Sequence, residues 1–194
     1  MIDKKHITGI ILAGGKSSRM GTDKGFLLLN KKPFVKYSID ALEPLVSEII
    51  IVSDNEAYDA FGVKRVDDIM KDAGPIAGIY SGLVASKNEY NIILSCDIPL
   101  VNSNLLKKLV LAIDDISEII QVESNGKSMP LIAMYKKACK DIFKEVFDTG
   151  ERRLRMAIKA CNSKNITLET KEEVLTTNVN TKDQFKTVEN EYNR

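Results

Sequence analysis

Ile7-Thr8-Gly9-Ile10-Ile11-Leu12-Ala13 is an apolar run that closes on Gly14 and Gly15. Runs of this kind suit a strand buried on both faces of a parallel sheet, with helices covering each side. The two glycines behind it permit positive φ and close backbone approach, so a row of free N–H groups can face phosphate oxygens. The stretch therefore predicts a first, central strand over residues 7–13 that delivers a polar turn at its carboxyl end.

Outward from this strand, the chain alternates strand and helix patterns. Residues 26–29 form a short apolar run before the turn at 30–33. Pro33 opens a helix to about residue 45, because proline fits the first helical turn. Strands are expected at 48–52 (EIIIV), 63–66 and 91–95 (NIILS). Helices are expected over 75–85 and 105–112, the second capped by Asn102 or Ser103. Strands at 119–122 and 131–135 read as an antiparallel pair. Helices over 138–147 and 152–160 and a tail helix from Asp183 complete the pattern. No repeat or low-complexity linker interrupts it. Such alternation predicts an α/β fold with a doubly wound, mostly parallel sheet flanked by helices, and one domain spanning residues 1–194. In such sheets ligands bind beyond the carboxyl ends of the strands. That rule singles out the residues after Ala13, Val52, Val66 and Ser95.

Composition narrows the function. The 194 residues are 44% hydrophobic and 28% charged, the balance of an ordinary soluble protein. A net charge of +1 argues against a general field for nucleic acid or acidic membranes. Trp is absent and aromatics are 6%, which disfavours base-stacking platforms. The three cysteines, Cys96, Cys139 and Cys161, lack CxxC spacing and signal neither a zinc site nor a disulfide framework. A reducing cytoplasm is the expected setting. The apolar run at the N-terminus is too short for a signal peptide or a membrane span. His6 is the sole histidine, which excludes a His-based triad or a multi-His metal site.

Four segments carry chemistry. In Leu12-Ala13-Gly14-Gly15-Lys16-Ser17-Ser18-Arg19-Met20-Gly21-Thr22-Asp23-Lys24-Gly25, Arg19 and Lys24 add a forked and a point-like cation, both suited to phosphates. The segment is not a P-loop: Ile10 stands where GxxxxGK[ST] needs glycine, and the Rossmann GxGxxG is absent too. On physics alone a plain charged turn remains open. Ser95-Cys96-Asp97-Ile98-Pro99 places a carboxylate at the ligand edge, where it could hold a hard cation such as Mg²⁺ beside substrate phosphates or simply begin a turn. Asp68 and the Gly74-Pro75-Ile76-Ala77-Gly78 turn open a helix whose N-terminus can meet a nucleobase or phosphate. Asn178-Val179-Asn180 on an extended strand would set both amides on one face.

The string LAGGKSSRMGTDKG resembles the LAGG-x-S-x-RMG-x-DK signature of NTP-dependent nucleotidyltransferases, which share a Rossmann-like α/β fold. GPIAG resembles the GPLAG motif of molybdenum cofactor guanylyltransferases, with Asp68 as the aspartate six residues before its glycine. The Cys96-Asp97-x-Pro99 segment resembles the family's magnesium aspartate site, and Asn178-x-Asn180-Thr181 its C-terminal N-x-N-T stretch, with Lys182-Asp183 replacing Pro-Glu. Pro130–Tyr135 and Gly150–Arg155 are weaker echoes. The likeness runs from about residue 7 to 185. Where the family often carries Asn after the second strand, Ser53 stands here, with Asn55 nearby.

The resemblance implies GMP transfer from GTP to molybdenum-bound molybdopterin, with Mg²⁺ as cofactor. It implies Arg19, Lys24 and Asp97 as catalytic residues and Asp97 as the metal ligand. Leu12, Ala13, Gly14, Gly15, Lys24, Ser53, Asp68, Gly78 and Asp97 are the implied nucleotide site, and Asn178 and Asn180 the pterin contacts. Nucleic acid and membrane are not expected partners, whereas transient contacts with other cofactor-biosynthesis proteins are. Two alternatives stand beside this reading: another NTP or acceptor, such as CTP or a sugar phosphate, and a non-catalytic nucleotide-binding regulator.

Overall fold

A computed structural model describes residues 2–14, 23–70 and 74–193. Its core is a seven-stranded sheet in the order β5-β4-β1-β6-β8-β7-β9. The strands are β1 (Ile7–Leu12), β4 (Glu48–Val52), β5 (Lys64–Val66), β6 (Tyr90–Ser95), β7 (Ile119–Ser124), β8 (Lys127–Lys136) and β9 (Ser163–Thr167). β1 pairs in parallel with β4 and β6, β4 with β5, and β7 with β9. Only β8 runs against its neighbours. A two-stranded hairpin, β2 (Leu28–Leu29) and β3 (Lys32–Pro33), stands apart from the sheet.

The central position of β1 follows from its composition. All but its last residue are buried, as a strand covered on both faces requires. One face packs against α1 (Phe34–Leu42) and α3 (Ser103–Leu111), where Val35, Ile39, Leu42, Leu105 and Leu109 meet Ile7, Ile11 and Leu94. The other face packs against α2 (Pro75–Ala85), α4 (Cys139–Asp148) and α5 (Leu154–Lys159), through Ile76, Ile79, Leu83, Phe143 and Ala157 against Ile10, Ile50 and Ile93. The expected doubly wound sheet is therefore present, with helices on both faces.

Element boundaries moved where local chemistry outweighed the apolar pattern. α1 ends at Leu42 rather than near residue 45, because Pro44 has no N–H to continue the helix. Asn102 is the cap of α3, its Oδ1 accepting from Leu105 N at 3.0 Å. β7 and β8 reach well past the expected 122 and 131. The turn between them, Asn125-Gly126, has both residues at positive φ, the two-residue hairpin geometry that Asn-Gly favours. β9 was not expected. Its sequence, SKNIT, holds one apolar residue, and an exposed edge strand needs no more. No helix among the described residues is long and apolar enough to cross a membrane.

The C-terminal helix α6 (Lys182–Tyr192) starts with a reciprocal cap. Gln184 N donates to Thr181 Oγ1, and Thr181 N donates back to Gln184 Oε1. Val188 of this helix is buried with Leu29, Phe34 and Val179 in a small satellite core.

Candidate active site

The carboxyl ends of the parallel strands open into a cleft of about 760 Å³, within the range of small-molecule sites. Leu12, Ala13 and Gly14 supply one wall from β1, and Val52, Ser53, Asp54 and Asn55 another from β4. Asp68 comes from the end of β5, Gly74, Pro75 and Gly78 from the start of α2, and Ser95 and Asp97 from β6. Asn178 approaches from the C-terminal segment. The ladders hold these ends together beyond the strands proper: Ala13 N donates to Val52 O, Cys96 N to Leu12 O, and Ser53 N to Val66 O, all at 3.0–3.1 Å.

Asp97 is buried, and both its oxygens are engaged. Oδ1 accepts from Ser95 Oγ at 2.6 Å, and Oδ2 meets Lys24 Nζ at 2.9 Å. Lys24 Nζ also donates to Asn180 Oδ1. Three segments distant in sequence thus converge on one ammonium group. The backbone joins the same knot, since Val179 N donates to the Asp97 carbonyl at 2.9 Å. Asn178-Val179-Asn180 forms no strand, contrary to expectation. Its groups do divide between two surroundings: Val179 is fully buried in the satellite core, Asn178 lines the cleft, and Asn180 holds Lys24. The Oδ1 of Asn178 is buried and has no hydrogen-bond partner among the described residues.

Asp68 is fixed by α2. Its Oδ1 accepts from Ser81 Oγ at 2.9 Å and from Met70 N at 3.0 Å, while Ile69 N donates to Ser81 Oγ. Arg65 ties the neighbouring wall, donating to the Ser53 carbonyl at 2.9 Å and pairing with Asp59 and Asp67. Burial pushes the Cys96 thiol well up, so it stays protonated beside Asp97 and is no nucleophile at neutral pH.

Sequence reasoning gave no role to Asp23, Ser81, Ser95 or Arg65. Asp23 lay inside the quoted signature, and its place beside Lys24 was the one available signal. The others are marked only by their contacts. Gly15 and Arg19, both expected in the site, lie outside the described residues.

The cleft has the chemistry for a hard cation. Asp23, Asp54, Asp68 and Asp97 line it, and a triphosphate entering among four carboxylates needs compensating positive charge. The described residues contain no cluster of three or more His, Cys, Asp or Glu placed to cage a metal. A cation held by one carboxylate plus substrate oxygens and water fits this donor set.

A doubly wound sheet with a glycine at positive φ just past β1 and a lysine–aspartate pair at its carboxyl edge defines an α/β nucleotidyltransferase. The chain belongs to the MobA-like NTP transferase domain family, which matches residues 9–166. It is 34% identical over 179 residues to a probable molybdenum cofactor guanylyltransferase of Flavobacterium johnsoniae, covering 92% of this chain and 94% of that one. A probable molybdenum cofactor guanylyltransferase of Clostridium perfringens is 40% identical over 152 residues, 77% of this chain and 76% of its own. Among solved structures, molybdopterin-guanine dinucleotide biosynthesis protein A of Archaeoglobus fulgidus superposes with a TM-score of 0.79 at 20% identity, over 96% of this chain and 98% of that one, a likeness of fold.

Proposed function

We propose that this chain, acting as one domain, transfers GMP from GTP to the terminal phosphate of molybdenum-bound molybdopterin. A pterin phosphate oxygen attacks the α-phosphorus of GTP, the new P–O bond forms, and the bond to the β-phosphate oxygen breaks to release pyrophosphate. The attacking phosphate is anionic at neutral pH and needs no general base. Catalysis then rests on positioning and on neutralising charge. The observation that carries this reading is the Lys24 ammonium drawn onto Asp97 at the edge of the cleft. That contact joins a cation for phosphates to a carboxylate for a metal.

In this reading Leu12–Gly14, Ser53, Asp68 and Gly78 hold the nucleotide, together with Gly15. Lys24 and Arg19 stabilise the charge on the phosphates. Asp97 would hold Mg²⁺, which when bound would offset the negative charge of the triphosphate. Asn178 and Asn180 face the pterin side, and the Oδ1 of Asn178, unpartnered among the described residues, is an acceptor for a pterin N–H. The setting is the cytoplasm, where delivery of the pterin calls for transient contacts with other proteins of the pathway.

The test is calorimetric titration of GTP, CTP, ATP and UTP in the presence of Mg²⁺. GTP is expected to bind most tightly. Equal or tighter binding of CTP would overturn the guanylyl assignment and leave the fold untouched.

A further inference from the structure

Tyr58 lies in a 3-10 segment, Glu56–Phe61, that follows β4, and no part of its side chain reaches solvent. The ring is held against Phe26, with centroids 4.5 Å apart, and against Phe61 at 6.1 Å. Its single polar atom is aimed at the signature segment: Tyr58 Oη donates to Asp23 Oδ1 at 2.6 Å. The same carboxylate accepts from Gly25 N at 3.1 Å and from Asn55 Nδ2 at 3.1 Å. Asp23 thereby caps the 3-10 turn Lys24–Phe26, of which Lys24 is the first residue.

A second observation is steric. A Cβ built on Gly25 would fall 2.1 Å from Tyr58 Oη, so the backbone just past Lys24 passes directly over the hydroxyl. The phenol both bonds the residue before Lys24 and supports the residue after it. Lysine is a point charge on a flexible four-carbon stem, and its reach is defined only if its backbone is fixed.

We propose that Tyr58 is a positioning residue for phosphoryl-group chemistry at this site, acting through Asp23 to fix Lys24. The proposal rests on the reading of Lys24 as the phosphate-facing cation. Tyr58 never touches substrate. It anchors the Lys24 backbone to the end of β4, while the Lys24 side chain bridges to Asp97 and Asn180 across the cleft.

The experiment compares Tyr58→Phe, Lys24→Ala and the double variant, reading pyrophosphate release from GTP with the molybdenum-bound pterin and thermal melting of each protein. Phenylalanine keeps the ring and removes one hydroxyl. Lys24→Ala is expected to lower kcat roughly 100-fold, and Tyr58→Phe about tenfold. In the Lys24→Ala background Tyr58→Phe should change kcat by less than about twofold, because its effect runs through a side chain already gone. An equal tenfold loss in both backgrounds would show that Tyr58 acts on general stability, and wild-type kcat in Tyr58→Phe would show no role; either result overturns the proposal. A silent Lys24→Ala would instead bring down the reading of Lys24, and the proposal with it. Should Tyr58→Phe fold poorly, Asp23→Ala removes the same bond from its cleft-facing end and must show the same dependence on Lys24.

Discussion

Asp97 carries the sharpest consequence of a single atom's placement. Asp97→Asn keeps the shape, retains an acceptor for Ser95 and removes the charge that Lys24 meets at 2.9 Å. On the proposed reading of Asp97 as the metal ligand, the variant is expected to fold, to lose most GMP transfer, and to require more Mg²⁺ for what remains, since Mg²⁺ rests on few protein carboxylates. Pyrophosphate release measured against magnesium concentration checks this, with melting as the folding control. Superimposable magnesium curves at equal maximal rate would assign Asp97 to the turn before Pro99 alone. That Asp97 lies at the ligand edge of the sheet was readable from its place after an apolar strand. That Lys24 lies on its Oδ2 was not, since 73 residues separate them.

Among the elements, α2 does more than cover the sheet. Ser81, buried one turn beyond Gly78, ties α2 to the Asp68 loop: its hydroxyl accepts from Ile69 N and donates to Asp68, or alternatively back to the Ala77 carbonyl. Ser81→Ala removes the tie between helix and loop. About 1 kcal/mol of stability is expected to go with it, the ordinary net worth of an intramolecular hydrogen bond, because Ile69 N loses its acceptor. The KM for the nucleotide should rise more than kcat falls, because Asp68 lines the cleft rather than the Lys24 edge. Steady-state kinetics beside a melting curve separates the two effects; an unchanged KM would detach Ser81 from the nucleotide wall. The helix itself was legible at 75–85, three glycines notwithstanding. Its serine was not, because hydroxyls in helices ordinarily bond back to the preceding turn, as Ser81 also does to Ala77.

The fold as a whole closes by bringing its last segment onto its first loop. Lys24 and Asn180 are 156 positions apart, and the chain between 178 and 180 is held by α6 through the satellite core of Leu29, Phe34, Val179 and Val188. Val188→Ala deletes two buried methyl groups far from the cleft. A loss of about 2 kcal/mol is expected from transfer and cavity terms, lowering Tm by roughly 4–8 °C in a chain of this size. Turnover at a temperature where the variant remains folded should also fall, because Asn180 loses part of its backing. Melting with wild-type turnover would show that the C-terminal helix stabilises the molecule without holding the site.

The order of the central elements was written locally. Apolar runs at 7–13, 48–52 and 91–95 can be buried only as sheet interior, and the helix patterns between them force parallel pairing with crossovers. The placement of Leu12, Ala13, Gly14, Ser53, Asp68, Gly78 and Asp97 around one cleft follows from that rule, since all lie at strand ends or at the following helix start. The edge of the sheet was not legible. β9 takes its strand from pairing with β7, and its polar residues carry no periodic signal of their own. Nor was the support beneath the site: Tyr58, Ser81 and Arg65 act through hydrogen bonds to partners 12 to 35 positions away. Periodicity records which face of an element is buried. Which polar group meets which across a cleft depends on distances that exist only once the strands are side by side.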